Sequence, residues 1–200
     1  MRNTLTNTVP VHKYADNEGV QSLYVRLGSL ARNLPNDEPL ARMLASRRAG
    51  FGVLPACMGL NPEIYHYLLL RHFSGIELPE HALPGIDADP RRQPERAELQ
   101  SLLLEHRANA DISEQWIADI VVSACMGGNH LWQDLGLWSR RDLTRLIQTN
   151  FPALAAGNDC DMKWKKFFYK QLCLQTGIYT CRAPSCEVCV DYRECFGPED

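Results

Sequence analysis

The chain has 200 residues, of which 45% are hydrophobic, a proportion typical of a soluble globular protein with a substantial core. Its 21 basic and 24 acidic side chains give a formal net charge of -3. No segment gathers five or more like charges, which argues against a nucleic-acid-binding protein.

The N-terminal residues lack the apolar stretch of a secretory signal, and no run approaches the about 18 apolar residues of a membrane helix. We therefore expect a cytoplasmic protein that does not contact a membrane. The chain contains eight cysteines. In a reducing cytoplasm, cysteines are more typical of metal binding than of disulfide bonds.

Apolar residues at helical spacing predict three helices in the first part of the chain, over 20–31, 37–50 and 62–73. The third has the strongest start signal, because Asn61 is a preferred N-cap residue and Pro62 is preferred at the first helical position.

Prolines recur through residues 75–94, a composition typical of a linker. We expect the linker to separate an N-terminal helical half, 1–74, from a C-terminal helical half, 95–180. A cysteine-rich tail, 181–200, follows. No function is expected in the linker.

Four helices are predicted in the second half. One helix begins near Glu95, the next is capped by Ser113 or Asp111, a third begins with a capping box at Ser139, and the last covers about 161–175. The last helix has an apolar stripe at four-residue intervals formed by Trp164, Phe168 and Leu172. The predicted fold class is therefore all-α, a small multi-helix assembly with an irregular metal-binding tail.

The tail carries a C-x4-C-x2-C-x5-C motif formed by Cys181, Cys186, Cys189 and Cys195. A structural zinc site usually has two C-x2-C pairs separated by a longer spacer, and only one such pair is present. The first three cysteines have the spacing of plant-type iron–sulfur ligands, although the fourth ligand there lies far downstream. The spacing favours an iron–sulfur cluster over zinc, with free or regulatory thiols as a third interpretation.

The motif and two upstream segments resemble the NifQ family, the molybdenum-donor proteins of nitrogenase cofactor assembly. The segments are Met-Gly-Gly-Asn-His-Leu-Trp-Gln-Asp-Leu-Gly-Leu at 126–137 and Asp-Met-Lys-Trp-Lys-Lys-Phe-Phe-Tyr-Lys at 161–170. The resemblance is strong over 124–195 and weaker upstream.

The resemblance implies a metal donor, not an enzyme, and no catalytic motif competes with that interpretation. The implied cofactor is a molybdenum–iron–sulfur cluster on the four tail cysteines, which delivers molybdenum for the nitrogenase iron–molybdenum cofactor. The implied partners are the nitrogenase iron protein and the cofactor scaffold complex. The alternatives are a structural zinc module on a helical interaction protein and a small iron–sulfur electron carrier.

Several other residues are candidates for accessory roles. His130 is a candidate molybdenum ligand or proton relay, or else it caps a turn. Cys173 lies close enough to the tail in sequence to reach the cluster. Cys57 and Cys125 are predicted to be buried small hydrophobic residues. The last helix also carries lysines that either form a solvated face or attract anions and partners: Lys163, Lys165, Lys166 and Lys170.

Overall fold

The computed structural model describes Tyr14, residues 16–78 and residues 89–176. These residues form nine α-helices and no β-strand, which confirms the all-α prediction. The helices are α1 (Glu18–Leu30), α2 (Asp37–Arg48), α3 (Pro62–His72), α4 (Gln93–Glu105), α5 (Ser113–Cys125), α6 (Leu131–Leu135), α7 (Arg140–Asn150), α8 (Pro152–Ala156) and α9 (Trp164–Thr176). Short 3₁₀ turns cover Ala56–Gly59 and Pro90–Arg92.

Side-chain caps fix the beginning of several helices. Asn61 accepts a hydrogen bond from the backbone N–H of Glu63 at 2.8 Å, and Pro62 is the first residue of α3. Ser139 accepts from the backbone N–H of Asp142 at 3.2 Å and starts α7. Both predicted caps are confirmed, because each depends only on neighbouring residues.

The start of α5 differs from the prediction, since neither Asp111 nor Ser113 occupies its N-cap position. Ile112 does, and it offers no side-chain acceptor. Asp111 instead accepts the N–H of Ser113 at 2.8 Å. The carboxylate of Glu114 reaches back to the backbone N–H groups just before the helix, those of Asn109, Ala110 and Asp111. The turn therefore uses two carboxylates to satisfy donors that one cap residue usually satisfies.

Helix α5 lies at the centre of the fold. Nearly all of its residues are buried, including the polar Ser113 and Glu114, and it packs against α4, α6 and the turn at Ala56–Gly59. A helix that is buried all round belongs to the core and not to the surface. The neighbours of α5 are therefore positioned by contact with one central element.

Buried side chains from both predicted halves belong to the same apolar core. Leu40 and Phe73 from the first half lie in one cluster with Ile117 and Phe168 from the second. Residues 79–88 of the predicted linker lie outside the described residues, and α4 begins at Gln93 within its remaining part. The division into two halves and a tail stays a prediction.

A reciprocal amide pair also joins the two parts of the chain. Asn36 Nδ2 donates to Asn150 Oδ1 at 2.7 Å, and Asn150 Nδ2 donates back to Asn36 Oδ1 at 2.8 Å. Asn36 Nδ2 also lies 2.8 Å from the Ser113 hydroxyl oxygen, which accepts from it. All three residues are buried, so their pairing satisfies groups that would otherwise destabilise the core.

The apolar stripe of helix α9 packs against the core. Trp164, Phe168 and Leu172 are buried, as the four-residue spacing predicted. The rings of Trp164 and Phe168 lie 5.9 Å apart, and α9 contacts α4. Within the described parts of the chain, none of the helices has the length and apolar character needed to cross a membrane.

Candidate functional site

The four tail cysteines lie outside the described residues, which end at Thr176. They are Cys181, Cys186, Cys189 and Cys195. What the structure describes is the helix that leads into them, α9, together with the loop and helix α6 on which α9 rests. These elements contain both family-like segments, 126–137 and 161–170.

A buried ion pair joins the two family-like segments. The ammonium group of Lys165 contacts the carboxylate of Asp134 and also donates to the backbone oxygen of Gly127 at 2.9 Å. Asp134 is fully buried, and the side chain of Lys165 is 17% exposed. Lys165 therefore does not lie on a solvated face, although the sequence placed it with the other lysines of the helix.

The loop before α6 is shaped to hold the Asp134 carboxylate. Asn129 donates to it twice, from its backbone N–H at 3.1 Å and from its side-chain amide at 3.0 Å. Gly127 passes so close to the carboxylate that a Cβ atom would overlap it. The backbone oxygen of Asp134 accepts from the N–H of Val53 at 2.9 Å, which fixes the end of α6 against a second loop. Both oxygens of the Asp134 carboxylate therefore accept hydrogen bonds, as buried polar groups usually do.

A second polar contact holds α9 one turn further along. The Tyr169 hydroxyl donates to the carboxylate of Glu95, which Arg92 binds with two nitrogens at 2.7 and 2.6 Å. Arg92 also donates to the backbone oxygen of Met126 at 2.9 Å. The hydrogen bonds from Arg92 lower the pKa of Glu95, while burial and the Glu95 hydrogen bond raise the pKa of Tyr169. Glu95 is therefore the ionised acceptor and Tyr169 the neutral donor.

His130 is the N-cap residue of α6, and its backbone N–H donates to Gln133 Oε1 at 3.3 Å. The ring is partly buried. Burial lowers its pKa first, and the positive charges of Lys163 and Lys165 lower it further. The imidazole is therefore neutral near pH 7, which is the protonation state that binds metals.

The remaining lysines face solvent to different degrees. Lys163 is partly exposed, and Lys166 and Lys170 are exposed. Because Lys165 is paired with Asp134, the exposed positive charge of this region comes from Lys163, just before α9, and from Lys166 and Lys170 on it. Their contribution to an anion-attracting field stays a prediction.

The cysteines of the described residues differ in chemistry. Cys125 and Cys57 are buried, as predicted, and burial raises the pKa of the Cys125 thiol to about 12. Cys160 is exposed and Cys173 is partly exposed. Cys173 follows Lys165 and Tyr169 at four-residue intervals, so it shares their side of α9. No set of three or more His, Cys, Asp or Glu side chains within the described ranges is arranged to bind a metal ion.

The sequence alone did not single out Asp134, Asn129, Gly127, Arg92, Glu95 or Tyr169. Four of them, Gly127, Asn129, Asp134 and Tyr169, lie in the family-like segments, and that was their only signal. Arg92 and Glu95 lie outside both segments. The pairing of Lys165 with a carboxylate 31 positions earlier depends on the tertiary fold. Together these residues fix α9, the helix that precedes the cysteine motif in the sequence.

Comparison with known proteins identifies the family to which the chain belongs. The sequence profile of the NifQ family matches residues 39–197. The chain belongs to the NifQ family. The match includes both family-like segments and all four tail cysteines, and the NifQ family is associated with nitrogen fixation and the biosynthesis of a molybdenum-containing cofactor.

Curated NifQ proteins are similar over most of their length. The chain is 45% identical to protein NifQ of Azotobacter vinelandii over 170 residues, which covers 80% of this chain and 87% of the relative. It is 38% identical to protein NifQ of Rhodobacter capsulatus, with coverage of 80% and 87%. Protein NifQ of Klebsiella pneumoniae is 37% identical, with coverage of 82% and 99%. No solved structure matches the chain.

Proposed function

We propose that this protein is a cytoplasmic molybdenum carrier that supplies the metal for the nitrogenase iron–molybdenum cofactor. The cargo is a molybdenum–iron–sulfur cluster, and its ligands are Cys181, Cys186, Cys189 and Cys195. The observation that carries the proposal is the extent of the NifQ match, which runs over 39–197 and so includes the complete cysteine motif. Thiolates are soft donors that suit iron–sulfur clusters.

A carrier must release its cargo as well as bind it. The contacts of Lys165 with Asp134 and of Tyr169 with Glu95 hold α9 on the core. The cysteine motif begins beyond the end of α9, so we expect metal transfer to proceed without opening the helical core. We propose that the protein acts as a metal donor and not as an enzyme.

His130 and Cys173 are accessory candidates. His130 offers a neutral imidazole beside α9, and Cys173 lies on the side of α9 that carries Lys165 and Tyr169. We propose that three tail cysteines bind iron, and that the fourth cysteine or one of these outside residues serves molybdenum.

The nitrogenase iron protein and the cofactor scaffold complex are the proposed partners. The exposed lysines of α9, together with Lys163, would favour contact with acidic surfaces or offset the negative charge of the cluster and its thiolates. Lys166→Glu with Lys170→Glu should then reduce molybdenum transfer without loss of folding. If the variant loads and transfers molybdenum as the native protein does, these lysines have no role in metal delivery.

The decisive experiment is anaerobic purification followed by metal analysis and electron paramagnetic resonance. We expect iron together with molybdenum in the native protein. Zinc as the sole metal would instead support a structural zinc module. Reversible redox behaviour with iron but no molybdenum would support an electron carrier.

Single Cys→Ser variants of the motif test the separate roles of the four ligands. Cys160→Ser is the matched control, because Cys160 is exposed and lies outside the motif. We expect one motif variant to lose molybdenum while it keeps most of its iron, and the control to keep both. Equal loss of both metals in all four motif variants would rule out separate roles.

A further inference from the structure

Helix α3 is apolar on two opposite sides. Its inner side, which includes Leu68 and Leu69, is buried in the core. Its outer side carries Ile64, Tyr67 and Leu70, which are 40%, 54% and 46% exposed. Residues three apart lie on the same side of a helix, so the three side chains form one stripe. A helix that is apolar on both sides is usually covered on both sides.

The apolar stripe continues onto the loop that precedes α5. Ile112 is 42% exposed, and its neighbour Asp111 pairs with Arg71 of α3 at 2.5 Å. The ring of Tyr67 makes an edge contact with Trp116, at a centroid distance of 5.6 Å. The exposed side chains of α3 and of this loop therefore belong to one surface, and contiguous exposed apolar patches mark interaction sites.

A cavity of about 400 Å³ opens on this surface. Its lining consists of Arg32, Leu34, Tyr67, Leu70 and Arg71. The lining combines three apolar or aromatic side chains with two guanidinium groups, and it contains no carboxylate. A concave site with this composition suits a group that is itself apolar and carries a negative charge.

The two arginines differ in what they already bind. Arg32 is exposed and makes no ion pair with any of the described residues. Arg71 already binds Asp111 through Nη2, and its Nε is buried. Guanidinium groups bind carboxylates in a planar, two-point geometry, so the exposed Arg32 retains the capacity to bind a carboxylate in this way.

We propose that the outer side of α3 docks a short amphipathic segment of a partner protein. Apolar side chains of that segment contact Tyr67 and Leu70, and a carboxylate of the segment pairs with Arg32. This proposal goes beyond metal carriage and does not depend on the identity of the cargo.

The charges on the surface favour this occupant over the alternatives. A second copy of the chain would bring a second pair of arginines to the cavity, whose lining contains no carboxylate. A membrane surface carries negative charge, but it is flat on this scale and would leave the cavity empty. An acidic, apolar peptide segment offers a carboxylate to Arg32 and apolar side chains to the cavity.

The test uses fluorescence anisotropy with a labelled helical peptide of about four turns. The probe has leucines at helical spacing and glutamates beside them, and a matched peptide has lysines in place of the glutamates. We expect the glutamate peptide to bind at least about tenfold more tightly than the lysine peptide, with the difference decreasing at high salt. Failure of the glutamate peptide to bind, or equal binding of the two peptides, would overturn the proposal.

Variants locate the site. Tyr67→Ala and Arg32→Glu should each weaken binding of the glutamate peptide by about tenfold or more. Arg141→Glu is the matched control, because Arg141 is exposed on α7 and does not line the cavity. Circular dichroism checks that each variant folds. Binding that Arg141→Glu weakens as much as Arg32→Glu would show a general charge effect and contradict the site.

The other occupants give distinct results. A dimer in sedimentation experiments that Tyr67→Ala dissolves would assign the surface to a second copy. Binding to phosphatidylserine vesicles that Arg32→Glu abolishes would assign it to a lipid surface. Either result would overturn the proposal of a peptide segment.

Discussion

The Lys165 ammonium group contacts the fully buried carboxylate of Asp134 and joins α9 to α6. The two residues belong to different family-like segments. Their contact fixes the helix that precedes the cysteine motif, and it places positive charge close to His130.

Loss of one partner of the ion pair should destabilise the protein. Asp134→Asn leaves the Lys165 charge poorly compensated, and Lys165→Met leaves a buried carboxylate without its cation. We expect each to lower the free energy of unfolding by about 3 kcal/mol, as measured by urea denaturation. The double variant should lose less than the sum of the two single losses.

Lys166→Met is the control for the ion pair, because Lys166 is exposed and adjacent in sequence. Its effect should stay within about 0.5 kcal/mol. Equal effects of Lys165→Met and Lys166→Met would contradict a structural role for the buried pair.

Gly127→Ala should be much more harmful than Gly128→Ala. A Cβ atom at Gly127 would overlap the Asp134 carboxylate, whereas a Cβ atom at Gly128 would meet nothing within 4 Å. We expect a loss of about 1–3 kcal/mol for Gly127→Ala and little change for Gly128→Ala in thermal or urea unfolding. Both variants add the same methyl group, so the difference between them measures the effect of the overlap with the Asp134 carboxylate.

Stability should fall as the pH decreases through the histidine range. Burial, with Lys163 and Lys165, lowers the pKa of His130, and burial lowers the pKa of His72 against the opposing effect of Asp37. The unfolded chain titrates its histidines near pH 6.5, so below about that pH it binds more protons than the folded chain. The free energy of unfolding therefore decreases from about pH 7 to pH 5.5.

The variant His130→Gln shows how much of this pH dependence of stability is due to His130 and how much to other groups. The variant should lose less stability than the native protein between the two pH values, because one of the groups that favours the unfolded state at low pH is absent. A nuclear magnetic resonance titration should place the apparent pKa of His130 below its ordinary value. An unchanged pH dependence in the variant would contradict the burial of the ring.

The cysteines of the described residues should differ in their reactivity toward alkylating reagents. Cys125 is buried with a pKa raised to about 12, and Cys57 is also buried, so an alkylating reagent should not reach either thiol in the folded protein. Cys160 is exposed. Site-resolved mass spectrometry after iodoacetamide treatment should find Cys160 modified in the folded protein, and Cys57 and Cys125 modified only after denaturation. Early modification of Cys125 would contradict its position in the core.

The helices were largely predictable, because their signals are local. Asn61 and Ser139 cap the helices that the sequence assigned to them, and Trp164 and Phe168 are buried as their spacing indicated. The start of α5 was not predicted correctly. There the hydrogen bonds come from Glu114 inside the helix and from Asp111 before it, a division of roles that no single preferred cap residue signals.

The environment of the candidate site was less predictable. Lys165 and Lys166 are identical in type and adjacent, yet one is paired with a buried carboxylate and the other is exposed. Sequence spacing placed both on the polar sides of the helix. The difference arises because α9 packs over the loop at 126–130, and that contact joins residues far apart in the chain.

The sequence by itself determined the all-α class, most helix boundaries and the family-like segments, because these depend on periodicity, caps and residue identity within short stretches. The C-x4-C-x2-C-x5-C motif is likewise a property of the sequence. Only the tertiary structure decided which lysine is buried, which glycine has no space for a side chain and which side of α3 stays uncovered. Each depends on contacts between distant residues, whose burial and charge exist only once the helices have packed.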